Sequence, residues 1–462
     1  MSKYFITCTF PKINEIPTIE NVSRSVLIGD IYARYLRMRE YQKVVYLGGV
    51  NEYDTIIQAK QEGLTHQEFC EKHRALHKTV YDWFGIRFDY WDSIPTVQNP
   101  MIDDIFVGLQ RIMENPPGLR MNPQINDYIS KIKCNKKLDK YEQKIIPINC
   151  QDKSFHDWFD QQCGYFSILA KNLKPYYDEC GLDESEITTW YKWLQSPGLT
   201  WISIQTKDDV LFHSVTMPTI ILGSGTHLPL INRIYIPDPL EDNINLSGDQ
   251  IIKLSDELGI NEDYWRFYLI KNNSFSWKGF MQTIHDDLVN NIGSFISSCF
   301  SLTENCFGGV TQMHYARYDM FVTEYMDHME NFKFPEAIDY CLKLSTKGNQ
   351  YLELEKPWIN RTDSSTNEIM GKANYMCWVL LQILCPFIPR TATRILSYMD
   401  VTKSSTIYKY KLFDDRMIGI PVWTIKLKHL DIVSFKKCWS SIKFDIDEIM
   451  VEIQRAVDMH TK

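Results

Sequence analysis

Apolar residues crowd positions 3–10 in a pattern that reads as a short strand, and a turn-rich segment with Pro11, Asn14 and Pro17 follows. Ile28, Ile31, Tyr35 and Met38 then recur at helical spacing, and Val44-Val45-Tyr46-Leu47-Gly48-Gly49 reads as a buried strand ending in glycines. Strand, helix and strand in succession predict a βαβ unit, hence a parallel sheet that binds ligands at the carboxyl ends of its strands. A second set of such elements is expected between about 155 and 235 and includes Trp201-Ile202-Ser203-Ile204 and Thr219-Ile220-Ile221-Leu222. The intervening stretch 96–150 is richer in Asn, Pro and Lys and weakly periodic, so it reads as an insertion on the sheet. From 281 onward the pattern is helical almost throughout, with one apolar stripe at Ile284, Leu288, Ile292 and Phe295 and another at Phe321, Tyr325 and Met329. The expected architecture is an α/β nucleotide-binding-type domain, split by an insertion and followed by a helical bundle.

Length and composition agree. A chain of 462 residues exceeds one hydrophobic core. Its apolar fraction of 44% and aromatic fraction of 13% exceed what a disordered chain carries, so the whole chain is expected to fold. The net charge of −8 argues against a protein that grips nucleic acid through a broadly basic surface. One local cluster departs from this, Lys131, Lys133, Lys136, Lys137 and Lys140; it reads either as a solvated face or as an RNA contact. The twelve cysteines include no C-x-x-C pair, and the closest, Cys299 with Cys306 and Cys377 with Cys385, have no histidine partners at metal-ligand spacing, so they read as reduced, mostly buried thiols with no metal. Met1 leads almost directly into Tyr4-Phe5-Ile6-Thr7, and the most apolar run, Tyr375 to Ile388, is interrupted by Gln382 and Pro386 and too short for a bilayer. These features predict a cytoplasmic protein without a signal peptide or membrane span.

Several strings add a resemblance. Phe10-Pro11-Lys12-Ile13-Asn14-Glu15-Ile16-Pro17, Asp30-Ile31-Tyr32-Ala33-Arg34-Tyr35, Trp158-Phe159-Asp160 with Gly164-Tyr165, Lys207-Asp208-Asp209-Val210 with Phe212-His213-Ser214, Tyr264-Trp265-Arg266-Phe267-Tyr268-Leu269, Phe275-Ser276-Trp277, and Gly348-Asn349-Gln350-Tyr351 with Pro357-Trp358 occur in the order of the class I methionyl-tRNA synthetases. Over nearly its whole length the chain resembles that family, especially its eukaryotic and archaeal type. The resemblance implies a first Rossmann half over 1–95, a reduced connective insertion over 96–150, a second Rossmann half over 151–235, a stem-contact-like linker over 236–280, and an anticodon-binding-type helical domain over 281–462.

Function has to be read at the site rather than from the fold. The family activates methionine with ATP. Its first signature, of the H-I-G-H kind, sets a histidine and a glycine at a helix start, where free N–H groups and the dipole hold phosphates. The matching residues here are Thr18, Ile19, Glu20 and Asn21. Thr18 can cap a helix but is no imidazole, and Glu20 puts a side chain and a negative charge where glycine admits ATP. The second signature, of the K-M-S-K-S kind, supplies mobile lysines, and its best match, Asn245-Leu246-Ser247-Gly248-Asp249, has none, although Lys253 lies nearby. Losing one preorganised donor to a transition-state charge costs about 2.7–4 kcal/mol, so no residue is expected to act catalytically at Thr18, Glu20, Asn21, Asn245, Gly248 or Asp249.

The resemblance places the former methionine pocket at Lys12, Asn51, Trp158, Gln161, Gln162, Tyr165 and His213. Asn51 stands where the family has an aspartate for the α-ammonium, Lys12 where an aromatic residue is expected, and Gln161-Gln162 where Ala-Pro is expected. These polar groups are costly around a thioether unless paired. The family's zinc knuckle has no counterpart, since 96–150 carries only Cys134 and Cys150. Trp358 matches the family's anticodon tryptophan, but Ser294 and Ser298 stand at its Asn and Arg positions, which removes base-edge recognition while stacking could survive. The expected function is that of a pseudoenzyme acting as a binding or scaffold subunit with another protein, without cofactor or zinc. The alternatives are a pseudo-synthetase that binds tRNA or other RNA, and a divergent active methionine-tRNA ligase that uses ATP with Lys12, His213 or Lys253 as substitutes.

Overall fold

The computed structural model describes residues 2–39, 43–52, 55–94, 127–128, 130–134, 166, 193–207, 209–224, 228–241, 246–313, 319–359, 364–403 and 423–427. The chain forms two compact units, the first comprising 1–33, 41–239 and 245–249, the second 34–40, 240–244 and 250–462.

The first unit is built on a six-stranded sheet of β1 (Lys3–Cys8), β2 (Lys43–Asn51), β3 (Tyr90–Ile94), β4 (Lys133–Cys134), β5 (Leu199–Ile204) and β6 (Arg233–Tyr235). Its order is β3-β2-β1-β5-β6-β4 and every pairing is parallel. Phe5 to Cys8 and Val44 to Val50 are buried without alternation, as strands covered on both faces require. Phe5 sits in register with Val45 on one side and Trp201 on the other, and the three share one core with Phe166, Trp193 and Ile220. The helical spacing read from Ile28 to Met38 is α2 (Leu27–Met38), whose Ile28, Ile31 and Tyr35 are buried; a short α1 (Ile19–Asn21) precedes it. Between β2 and β3 lie α3 (Ile56–Gln61) and α4 (His66–Trp83), the latter opened by a capping box between Thr65 and Glu68. Thr219–Leu222 lies in a helix, α5 (Met217–Ser224), packed on the sheet rather than in it. Most of 96–150 is outside the described residues, but Lys133–Cys134 within it forms the edge strand beside β6.

The chain enters its second set of strands on the other side of β1 from the first. The direction of winding therefore reverses between β1 and β5, and the crevice at their carboxyl ends is the ligand-binding position of such sheets.

The second unit contains α6 (Gly248–Leu258), α7 (Glu262–Lys271), α8 (Trp277–Thr283), α9 (Ser294–Phe307), α10 (Asp319–Glu330), α11 (Phe334–Glu355), α12 (Ser364–Leu384) and α13 (Pro389–Leu396), α6 beginning in the first unit. Ile284, Leu288, Ile292 and Phe295 are buried, as are Tyr325 and Met329. The string at 264–277 builds an aromatic cluster in which Trp265 stacks on Phe275 at 5.7 Å and meets Phe280 at 4.6 Å. Gly348 of α11 lies against Phe295, and a Cβ there would come within 2.4 Å of the ring. A three-stranded antiparallel sheet, β7 (Val310–Met313), β9 (Trp423–Leu427) and β8 (Met399–Lys403), interrupts the helices. Its strands are too short and too far apart in sequence for a period of two to register. Asn374 of α12 anchors β7 by donating to Thr311 Oγ1 at 2.8 Å and to Thr303 Oγ1 of α9 at 2.7 Å.

Candidate functional site

The crevice between β1 and β5 is laced by polar side chains that no motif singled out. Thr9 Oγ1 donates to Gln205 Oε1 at 3.0 Å, Gln205 Nε2 donates to Ser203 Oγ at 2.6 Å, and Ser203 and Thr7 hydroxyls lie 3.1 Å apart. Trp201 Nε1 donates to Thr7 Oγ1 at 3.1 Å. Thr7, Ser203 and Gln205 are almost wholly buried, so the chain of bonds is the means by which these groups can leave water. The only sequence signal for it was the run of hydroxyl residues at strand ends.

Beside this crevice the segment after β1 is zipped onto the end of β2. Asn51 N donates to Pro11 O and Ile13 N donates to Asn51 O, each at 2.9 Å, which sets Lys12 and Asn51 directly opposite one another. Lys12 is exposed and Asn51 half-buried. His77 of α4 fastens the same segment: its Nε2 lies 3.2 Å from Ile13 O, and its Nδ1 lies 3.3 Å from Tyr81 Oη. Burial lowers the His77 pKa to about 4 against the opposing pull of the Ile13 and Glu15 carbonyls, so the ring is neutral and Nε2–H donates.

Thr18 caps α1. Its Oγ1 accepts from Asn21 N at 3.2 Å and donates to Asn21 Oδ1, while Ile19 is fully buried. Glu20, in the first turn, faces Arg24, which sits on the π-helical turn Val22–Val26. Burial pushes the Arg24 guanidinium below its ordinary pKa, and Tyr235, Glu20 and Asp238 pull it back. The Glu20 carboxylate is thus a counter-charge to a half-buried arginine.

The second signature does not form a loop where it is described. Thr18 and Ser247 face each other in an antiparallel bridge, with Ile19 N donating to Leu246 O at 3.0 Å and Gly248 N donating to Pro17 O at 2.7 Å. Gly248 and Asp249 are the first residues of α6, and a Cβ on Gly248 would come within 2.4 Å of Val80 and 3.1 Å of Pro17 O. Asp249 Oδ1 accepts from Ser247 Oγ at 2.5 Å. Two helices therefore begin at one bridge, and each places an acid in its first turn. A bound phosphate would meet these carboxylates rather than open N–H groups. Lys253 lies exposed on α6.

His213 is buried in the π-helical turn Phe212–Thr216, where its Nδ1–H donates to Asp209 O at 2.9 Å. Burial lowers its pKa and the nearby Asp209 opposes this. Trp158, Gln161, Gln162, Tyr165, Asn245, Lys136, Lys137 and Lys140 lie outside the described residues. Of the lysine cluster, Lys133 is exposed and Lys131 is paired with Asp127 at 2.6 Å. Among the described residues no three His, Cys, Asp or Glu side chains assemble as metal ligands, and no helix is long and apolar enough to cross a membrane.

In the second unit, Ser294 is exposed at the start of α9 and Ser298 half-buried one turn on. α11 runs alongside: Ser345 Oγ and Asn349 Nδ2 each donate to Asn291 O at 3.1 Å, satisfying a carbonyl of the π-helical stretch Ile284–Gly293. Trp358, half-buried, follows Lys356, whose left-handed backbone (φ 46°) ends α11.

Comparison with known proteins agrees with this geometry. The family described as tRNA synthetases class I (M) matches residues 4–111 and 139–300, and that described as anticodon-binding domain of tRNA ligase matches 313–433. A methionine-tRNA ligase of Acanthamoeba polyphaga mimivirus is 31% identical, over 87% of this chain and 92% of its own length. The cytoplasmic methionine-tRNA ligase of Xenopus laevis is 25% identical over 87% of this chain, which spans only 57% of that relative. A Mycobacterium tuberculosis methionyl-tRNA synthetase solved with methionyl-adenylate superposes with a TM-score of 0.63 at 15% identity, covering 86% of this chain and 94% of that one.

Proposed function

The chain belongs to the class I methionyl-tRNA synthetase family, and from that premise we propose that it acts by binding, as a synthetase-like scaffold subunit, rather than by activating methionine. The observation that carries the reading is the use made of the first signature. Thr18 serves as a helix cap, and Glu20 balances the half-buried Arg24. Charge and bulk thereby stand where the family admits a triphosphate. Asp249 at the neighbouring helix start and Asn51 in place of a carboxylate support the same conclusion. No cofactor or zinc is needed for this role, and the partner is another protein in a stable complex.

The match of 313–433 to an anticodon-binding domain favours a second reading, in which the chain still binds tRNA. Ser294 and Ser298 offer no fork for base edges, so such binding would rest on stacking at Trp358 and on lysines, and would weaken with salt. A divergent active ligase, using ATP, is the third reading, favoured by the name and 31% identity of the mimivirus relative. The test is methionine-dependent exchange of pyrophosphate into ATP by the full chain, beside an active synthetase as control. Exchange at background level is expected. Robust exchange that disappears in Lys12→Ala or Lys253→Ala would establish the ligase and end the scaffold reading.

A further inference from the structure

The helical run from Trp277 to Phe307 is unbroken, but its two ends serve different neighbours. In α8, Phe280 packs on Trp265 at 4.6 Å, whereas in α9 Thr303 Oγ1 accepts from Asn374 of α12 at 2.7 Å. Between them, over Ile284–Gly293, the pattern repeats at every fourth residue: Ile284, Leu288 and Ile292 are buried, and Asp286, Asn290 and Ser294 are exposed. With about 3.6 residues to an α-helical turn, a strict step of four would carry such a stripe round by roughly 40° at each repeat. A π turn takes up more residues, so the stripe stays in place, and Ser294 N accordingly donates back to Val289 O.

π turns are rare and mostly single, so a stretch of 10 residues calls for support from outside the helix. α11 supplies it at one residue. Ser345 Oγ and Asn349 Nδ2 both donate to Asn291 O, while Asn291 Nδ2 donates to Thr346 Oγ1 at 3.0 Å and to Leu342 O at 3.3 Å. Leu342, Ser345, Thr346 and Asn349 are three and four residues apart and so share one face of α11. Gly348 beside them lets Phe295, just past the stretch, approach the same helix. The bonds thus converge on the residue where the π register hands over to the α register of α9.

We propose that the Asn291 clamp is a rotational setting for α9: it holds between α8 and α9 more residues than an α-helix would take up, and so fixes which side chains of α9 face inward and leaves Ser294 exposed. Releasing one surplus residue would turn α9 against α8 by roughly 100°, enough to carry Thr303 away from Asn374. The setting goes beyond the scaffold reading and does not depend on it. The test is deletion of single residues in the full chain. Removing Asn290, exposed within the stretch, takes out a surplus residue and leaves α9 in place, so the melting temperature is expected to fall by only a few degrees. Removing Ser297, half-buried in α9 itself, turns everything after it by roughly 100° and is expected to cost far more or to prevent folding. Ser345→Ala with Asn349→Ala is expected to lower the melting temperature of the unaltered chain by several degrees, and that of the Asn290 deletion by less than half as much. Equal losses in both backgrounds, as for ordinary packing bonds, overturn the proposal, and so does an Asn290 deletion as damaging as that of Ser297. Hydrogen exchange of the chain carrying Ser345→Ala and Asn349→Ala needs no deletion. Faster exchange confined to 284–298 is expected, whereas exchange raised evenly over α9, α11 and α12, or raised nowhere, overturns the setting.

Discussion

At the starts of both α7 and α1 an acid is followed within about a turn by an arginine, and the two pairs are used differently. At α7, Asn261 caps the helix, Asp263 is fully buried and accepts from Thr391 N at 2.6 Å, and Arg266, also fully buried, donates to the carbonyls of Phe387 at 3.1 Å and Pro386 at 2.8 Å. Asp263 thereby serves the first turn of α13 and Arg266 the end of α12, while Arg390 and Glu262 pair at the surface beside them. At α1, Thr18, Glu20 and Arg24 do a smaller version of the same work with half-buried groups. The string around Arg266 is among those that carry the family resemblance. The α7 corner is buried hydrogen bonding across elements, which is costly to leave unmade. The α1 start is a rim position held by a cap and a counter-charge.

The comparison is easiest to break at its buried end. Arg266→Ala leaves Asp263 without its neighbouring charge and two carbonyls without donors, and should cost about 3–5 kcal/mol in urea unfolding. A loss no larger than that of an ordinary surface change would mean the α7 corner is not what holds the second unit. The first unit offers an intermediate case in His77. Its pKa is depressed to about 4 when folded, against an unfolded value of about 6.5, so the unfolded state takes up its proton first as pH falls. Its stabilising contribution is fully present above pH 6.5 and is lost between there and about 4, by up to about 3 kcal/mol. His77→Gln should flatten that part of the stability profile, and an unchanged slope would show that His77 does not hold the Ile13 segment. The smallest effect belongs to the signature position itself. Thr18→Ala should lower stability by about 1 kcal/mol, with Thr18→Ser nearly neutral, as expected of a cap and of nothing more. A far larger loss would give the former signature an unassigned role.

Much of the fold was legible in the chain because its cues are local. The largely apolar runs at 44–49 and 201–204 gave buried parallel strands, and the stripes at Ile284–Phe295 and Tyr325–Met329 gave packed helices. Thr219–Leu222 is as apolar as those strands, and only its place on the sheet made it a helix. In the antiparallel sheet of β7, β9 and β8, the pairing of β7 with β9 left no trace because it joins residues more than a hundred positions apart. At the site, Thr18, Glu20, Asn51 and Ser294 were visible as residue types, but their partners were not. Nothing in the sequence joined Glu20 to Arg24 across a π-helical turn, or Ser203, Gln205 and Thr9 into one buried chain of bonds.

By itself, then, the sequence determined the layering of the α/β and helical parts and the residue types that stand at the candidate site, since periodicity and residue identity are carried by neighbouring positions. Tertiary structure alone decided that Pro17–Ile19 pairs with Leu246–Gly248 and that Lys12 lies opposite Asn51. Each of these depends on backbone brought together from distant stretches, where hydrogen-bond geometry and close approach, rather than residue type, fix the outcome.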